Sequence, residues 1–296
     1  MDTLIGQGRT AIGLICDPDS FDENTVGAAR FDDPDFGPGA VVGTAKLDGK
    51  TVTVIASDAD AFNEKFPVVY AGIIGMEEGY KMAQAVYATI AVDTAETKAN
   101  KRAIVLVVDT PGNGPGKVEE IFGMNKATGA YQLALAEARL AGHPIVAMVI
   151  GRAISGAFLC HGLQADHILS LDSKFGTMIH VMPLTSISRI VKKDIEVLEK
   201  LAEGNPVFAA GPSFFSKLGG VEEIVPEIEA MRDAVIRHVA SVRAEKVAGT
   251  DAETTGPWGR GALGAERGGR VVRPEVIALL QAELAEVASR YLPGAN

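Results

Sequence analysis

The chain has 296 residues, with 28 Lys and Arg against 38 Asp and Glu, so its formal net charge is −10. This acidic balance argues against nucleic acid or an anionic membrane as a partner, because both are bound through basic patches. Apolar residues make up 47% of the chain, which is typical of a globular protein. No signal peptide and no apolar run of about 18 residues is evident, so we expect a cytoplasmic protein.

The first third of the sequence predicts short strands followed by a helical stretch. Residues 40–47 and 51–56 are β-branched runs joined by an Asp-Gly pair, which is a strong signal for a β-hairpin. Residues 59–92 have a helical pattern that we expect to be broken near Pro67.

The middle of the chain alternates between buried strands and helices. Residues 103–109, 145–150 and 167–171 are apolar runs too short for helices and are predicted to be strands. Helices are predicted between them, over residues 117–140 and 151–164. This alternation is typical of an α/β fold with a mainly parallel sheet.

The last third is predicted to be helical, over residues 186–202, 225–247 and 274–292. Residues 248–270 contain seven glycines and form either a loop or linker, or a segment that orders over a ligand or partner. We therefore divide the chain into a main domain (1–247), this Gly-rich loop (248–270) and a C-terminal helix (271–296). That helix is expected to pack on the domain or on a partner.

A Gly-rich loop follows the strand at residues 103–109. Backbone N–H groups at Gly112, Gly114 and Gly116 are candidates for binding a substrate anion. The loop is not a Walker A motif, because Val118 stands where Ser or Thr would bind magnesium. The alternative is a tight turn without a ligand.

A second glycine-containing junction lies between a strand and a helix. The amides of Gly156 and Ala157 are candidate oxyanion donors, although close helix packing also selects small residues. Arg152 interrupts an apolar run and is a candidate for binding a substrate carboxylate or a carrier phosphate, or for an intersubunit ion pair. Ser155 is outside a G-x-S-x-G elbow, so we favour a helix N-cap over a nucleophile.

The histidines show no metal-binding spacing, so no metal is expected. His180 ends a short apolar stretch and is the best catalytic candidate among them, although a structural, hydrogen-bonded role is the alternative.

Together, residues 108–116 and 151–158 and the Ala-rich helix between them resemble the C-terminal half of biotin-type carboxyltransferases, which belong to the crotonase superfamily. The likeness to the γ subunit family of malonate decarboxylases covers most of the chain. It implies a crotonase-like fold of ββα units around two crossed sheets, with a helical C-terminal region. It also implies that the amides of Gly156 and Ala157 match an oxyanion hole.

The resemblance further implies a homologous β subunit that shares the active site, an acyl carrier subunit and an acyl-transferase subunit. The carrier holds the CoA-like prosthetic group, and this chain alone binds no cofactor. The implied reaction decarboxylates a malonyl thioester to an acetyl thioester and CO2 through a stabilised enolate. One alternative passes the carboxyl group to biotin, although Ser155 stands where biotin enzymes usually have Gly.

Two further alternatives come from other classes of protein. Clp-type serine peptidases have a similar Gly-Ala-Phe segment and a downstream Met-Ile-His, but the nucleophile position falls on Ile154 here. The second of these alternatives is a non-catalytic scaffold subunit. Because acyl carriers are commonly acidic, carrier docking would need a local basic face. The candidates for that face are Arg189, Lys192, Lys193, Arg260, Arg267, Arg270 and Arg273.

Overall fold

The computed structural model describes residues 2–114, 116–182, 184–202 and 210–291. Its strands are β1 (Asp22–Glu23), β2 (Thr25–Val26), β3 (Ala29–Arg30), β4 (Ala40–Leu47), β5 (Lys50–Ser57), β6 (Ala103–Thr110), β7 (Ile145–Ile154), β8 (His167–Leu171), β9 (Met178–His180) and β10 (Glu223–Val225). Its helices are α1 (Gly8–Ile15), α2 (Met76–Val92), α3 (Lys117–Phe122), α4 (Met124–Leu140), α5 (Ser155–Cys160), α6 (Leu184–Val191), α7 (Ile195–Ala202), α8 (Pro212–Lys217), α9 (Met231–Ala248), α10 (Asp251–Thr254), α11 (Gly256–Glu266) and α12 (Arg273–Tyr291).

One eight-stranded sheet forms the centre, in the order β1-β4-β5-β6-β7-β8-β10, with β9 pairing to β7. The strands from β5 to β10 pair in parallel, whereas β1, β4 and β5 pair antiparallel. The predicted α/β class with a mainly parallel core is confirmed. The resemblance implied two crossed sheets, but the separate sheet here is only the small β2–β3 pair, and β9 is joined to the main sheet.

The central strands are buried on both faces, as their unbroken apolar runs predicted. Every residue of β6 is buried, and alternate side chains enter two different cores. Leu106 and the other side chains on its face of the sheet pack against α2 and α4. Val105 and the side chains on the opposite face pack against α1 and α9. This two-sided burial holds the carboxyl ends of β6 and β7 in fixed positions.

The predicted hairpin is confirmed between β4 and β5. Asp48 and Gly49 form its two-residue turn, with φ of 52° and 72°. Positive φ at both positions is what a type I′ turn requires, and such a turn matches the twist of the paired strands.

Several predicted helices differ from the structure. The helical prediction for residues 59–92 holds only from Met76, and the helix predicted over residues 225–247 begins only at Met231, because Val225 is the last residue of β10. The single helix predicted over residues 117–140 is two helices, because Gly123 adopts φ of 105° and ends α3 before α4 begins. Glycine takes this left-handed conformation at little cost.

The Gly-rich segment 248–270 is helical and packed on its own chain, which contradicts a loop or linker. Lys246 is fully buried and lies 3.3 Å from Asp166 and 3.4 Å from Asp251. Arg260 donates to the carbonyl of Ala165 at 2.6 Å. By contrast, α12 buries none of its described side chains, so its packing on a partner stays a prediction. Leu292, the predicted end of that helix, lies outside the described residues.

No helix in the described ranges is long and apolar enough to cross a membrane.

Candidate active site

The candidate site is built where β7 runs beyond the regular part of the sheet. The register between β6 and β7 shifts between Val108 and Thr110, and the last residues of β7 pair with β9. Ile154 is then the direct partner of His180. Ser155 is the next residue along the chain after this pair.

Ser155 begins α5 in a left-handed conformation, with φ of 55°. The predicted N-cap role is wrong, because Ile154 is the N-cap and no side chain caps this helix. A positive φ in a non-glycine residue carries backbone strain and is a feature of functional turns. Ser155 is exposed, but within the described residues no hydrogen bond joins it to Nδ1 of His180. The serine hydrolase alternative therefore lacks its dyad here.

Gly156 and Ala157 occupy the first turn of α5, where amides have no intrahelical partner. Ala157 is fully buried, whereas Gly156 lies against the side chain of Asn113. A Cβ atom at Gly156 would sit 2.6 Å from Asn113 Oδ1, so glycine lets the carboxamide keep this position. Asn113 is a site residue that the sequence analysis missed. Its position between two glycines was visible, but its contact with residue 156 depends on the fold.

The main chain fixes Asn113 in place. Ile74 N donates to the carbonyl of Gly112 at 3.1 Å, and Gly114 N donates to the carbonyl of Ile74 at 2.9 Å. Asn113 is held between these two bonds, with its carboxamide over Gly156. The amide of Gly114 is therefore already used inside the protein.

The inner face of the Gly-rich loop is filled by Glu119. This side chain is 1% exposed, and its two carboxyl oxygens lie where Cβ atoms at Gly114 and Gly116 would be. Burial raises the pKa of Glu119, and the nearby Glu78 raises it further. Anion binding by Gly114 and Gly116 stays a prediction, and an anion bound there would meet this carboxyl group.

Arg152 has its counter-charge within the same chain. Its Nε and Nη2 donate to the two carboxylate oxygens of Asp109, each at 2.9 Å, and Nη2 also donates to the carbonyl of Ala71. The ion pair lies inside one chain, so the intersubunit ion pair is not needed to explain this charge. Substrate binding by Arg152 stays a prediction.

His180 lies on β9, paired with the last residue of β7. Burial lowers the pKa of His180, and its buried Nδ1 has no hydrogen-bond partner within the described residues. The site thus combines main-chain amides, the Asn113 carboxamide and the imidazole of His180. Hydrogen-bond donors of this kind stabilise negative charge that develops on a bound oxygen. No cluster of three metal-ligating side chains occurs among the described residues.

This fold and site define the class of the protein. The structure is similar to that of a transcarboxylase 12S subunit bound to hydrolysed methylmalonyl-coenzyme A, with a TM-score of 0.61 and 19% identity over 80% of this chain and 40% of that chain. At this identity the likeness establishes the fold alone. The fold is that of crotonase-like carboxyltransferase domains, and the homologues of this chain are decarboxylase or carboxyltransferase components of multisubunit complexes.

The family follows from closer matches. The model of the malonate decarboxylase gamma subunit family matches residues 70–284, and the chain belongs to that family. It is 65% identical over 292 residues to the malonyl-S-ACP:biotin-protein carboxyltransferase MADD of Malonomonas rubra, covering 99% of this chain and 100% of the relative. A Pseudomonas malonate decarboxylase hetero-tetramer in complex with coenzyme A contains a chain with a TM-score of 0.69 and 32% identity, over 84% of this chain and 93% of that chain.

Proposed function

We propose that this chain works with a homologous β subunit to remove the free carboxyl group of a malonyl thioester and pass it to a biotin protein. One observation carries the choice of acceptor: the Malonomonas carboxyltransferase is 65% identical over essentially the whole of both chains. The Pseudomonas decarboxylase chain is similar at 32% identity.

Main-chain N–H donors suit the chemistry of this step. When the bond between the thioester carbon chain and the carboxyl group breaks, its electron pair moves into the thioester enolate. The CO2 that leaves would add to a nitrogen of biotin, and the proton lost by that nitrogen would balance the proton that adds to the enolate carbon to give the acetyl thioester. Amides of Gly156 and Ala157 would donate hydrogen bonds to an acceptor or product oxygen on this side of the cleft. This role needs no nucleophile, which agrees with the lack of a Ser155–His180 hydrogen bond.

The second half of the active site belongs to the β subunit in this proposal. The Pseudomonas relative was solved as a hetero-tetramer, which supports a site that this chain shares with a partner. Donors for the thioester oxygen would come from that partner. An acyl carrier subunit would bring the malonyl group on its CoA-like arm, and an acyl-transferase subunit would load it. The chain itself would bind no cofactor.

The direct release of CO2 is a second candidate. It is favoured by the similarity to the Pseudomonas decarboxylase and by Ser155, which stands where biotin enzymes usually have glycine. The two reactions share the enolate step and differ only in the acceptor.

The composition of the native complex tests the proposal. We would tag the chain in its host, purify it gently, and determine the native mass and every bound chain. A second crotonase-fold chain, an acyl carrier and a biotin protein are expected. A carrier without any biotin protein would favour CO2 release. A homo-oligomer without partners would contradict both candidates.

A further inference from the structure

A pocket of about 340 Å³ lies beyond the C-terminal end of α5. Gln164 and Phe215 line it, together with Arg260, Arg270 and Arg273. The Gly-rich segment supplies Arg260 and Arg270, and the first residue of α12 supplies Arg273, so three positive charges meet at one pocket in a chain whose net charge is −10.

The protein holds each arginine through neutral groups. Arg260 is 6% exposed and donates to main-chain carbonyls, including that of Ala165 at 2.6 Å. Arg270 uses only its Nε, which donates to the carbonyl of Leu218 at 2.7 Å. Arg273 lies over the ring of Trp258, with 5.1 Å between Cζ and the ring centroid. The terminal nitrogens of Arg270 and Arg273 are not hydrogen-bonded to any described residue.

The positive charge in the pocket is not neutralised locally. Among the described residues, no carboxylate lies within 4.0 Å of these three guanidinium groups, in contrast to Arg152. The acidic groups that act on Arg260 are Glu222 and Asp166. Asp166 already pairs with Arg139 and Lys246. Burial raises the pKa of Glu222 to about 7, so this group is only partly ionised near neutral pH.

We propose that this pocket binds the phosphate of an organic phosphate ester, namely the nucleotide-like arm of the acyl carrier. Guanidinium groups match the geometry of phosphate oxygens and hold them with charge-assisted hydrogen bonds. The pocket lies at one end of α5 and Gly156 at the other, and a six-residue helix spans about 9 Å. An arm anchored here therefore lies within reach of the candidate site. The identity of this ligand rests on the proposed function.

Calorimetry on the full chain tests the pocket directly. Coenzyme A serves as the probe, and pantetheine, which lacks phosphate, serves as the matched probe. The variants are Arg270→Met and Arg273→Met, which keep the apolar stem of the side chain. The control is Arg30→Met, because Arg30 is also held by main-chain carbonyls and its loss changes the net charge equally.

We expect coenzyme A to bind and pantetheine not to bind. Each pocket variant should weaken coenzyme A binding about tenfold or more, the usual effect of losing a hydrogen bond to a charged group. Arg30→Met should leave it within twofold. Trp258, the single tryptophan, adds a local readout: its fluorescence should respond to pyrophosphate in the parent chain and much less in Arg270→Met.

Equal affinities for coenzyme A and pantetheine would overturn the proposal, as would no binding or unchanged affinity in both pocket variants. These measurements need no turnover, so they are independent of the proposed reaction. A complex that fails to process a malonyl thioester while its pocket still binds coenzyme A would refute the proposed function and leave the phosphate site standing.

Discussion

Arg152 and Asp109 form a two-point ion pair at the carboxyl ends of β7 and β6. Asp109 also accepts hydrogen bonds from the amide of Arg152 at 2.7 Å and from the amide of Gly6 at 2.7 Å. The Asp109 side chain is 4% exposed and that of Arg152 is 16% exposed. The pair therefore connects the loop before α1 to the carboxyl ends of β6 and β7, next to the candidate site.

Arg152→Met should destabilise the chain strongly. It leaves the Asp109 carboxylate buried without its counter-charge, which costs about 3–5 kcal/mol in comparable pairs. Urea unfolding of the full chain measures the loss. Lys174→Met is the control, because it breaks an ion pair whose side chains are 49% and 59% exposed, and such pairs contribute less than about 1 kcal/mol. Equal stability of the two variants would show that the buried pair is dispensable.

Gly156→Ala should lower the turnover of the complex about tenfold or more. The new Cβ would lie 2.6 Å from Asn113 Oδ1, so the carboxamide must move from the site. Gly129→Ala on α4 is the matched control, because its Cβ meets no atom within 4 Å. Adding Asn113→Ala to Gly156→Ala would relieve the clash without restoring the carboxamide. Full activity in Gly156→Ala would mean that Asn113 has no role in the site.

Ala157→Pro deletes one N–H in the first turn of α5, where that N–H has no intrahelical hydrogen bond to lose. If that amide stabilises an oxyanion, kcat should fall about 100-fold while the complex still assembles. Steady-state kinetics and native mass together separate these effects. An assembled complex with unchanged kcat would refute the assignment of this donor.

His161 should make the fold sensitive to acid. Burial lowers the pKa of His161 to about 4, and the ring is hydrogen-bonded to Tyr131 and to the carbonyl of Val107, each at 3.0 Å. The unfolded chain binds this proton near pH 6.5, so stability falls as the pH drops from about 6.5 toward 4. His161→Gln should reduce this slope, whereas Tyr131→Phe should keep it. The buried His167, whose pKa is also lowered to about 4, keeps part of the slope in both variants. An unchanged slope in His161→Gln would contradict the assignment.

Glu222 should change the stability of the fold with pH in the opposite direction to His161. Its pKa is raised to about 7 because the carboxyl group is buried, so the folded chain binds this proton more tightly than the unfolded chain. Its contribution to stability is present below about pH 4.5 and is lost as the pH rises through 7. Glu222→Gln should therefore be more stable than the parent at pH 8, by thermal unfolding. The exposed Glu229→Gln should not differ, and an equal effect in both variants would argue against burial as the cause.

The central strands and the hairpin were predictable because their signals are local. An unbroken apolar run such as that of β6 needs two covered faces, and the Asp48-Gly49 turn needs two residues that accept positive φ. The break at Gly123 was not predicted, since a glycine within a helical pattern does not by itself reveal its conformation. The Gly-rich segment was also misjudged, because buried contacts of Arg260 with residues far away in the sequence hold it.

The candidate site was predicted only in part, because some of its features have local sequence signals and others depend on long-range contacts. The positions of Gly156 and Ala157 at a strand–helix junction follow from the local pattern. Asn113 could not be found in this way, because it lies in the loop after β6, whereas Gly156 lies in the first turn of α5 after β7, and only the fold brings them together. Likewise, nothing in the sequence shows that Arg152 faces Asp109, or that Glu119 fills the Gly-rich loop.

The fate of the malonyl carboxyl group tests the central claim most directly. The purified complex is given a malonyl thioester on its carrier, labelled in the free carboxyl carbon, and the label is followed in the protein-bound biotin and in released CO2. The account predicts acetyl thioester on the carrier and label on the biotin protein, both lost when this chain is omitted. Intact malonyl thioester in the complete complex, or the same conversion without this chain, would contradict it.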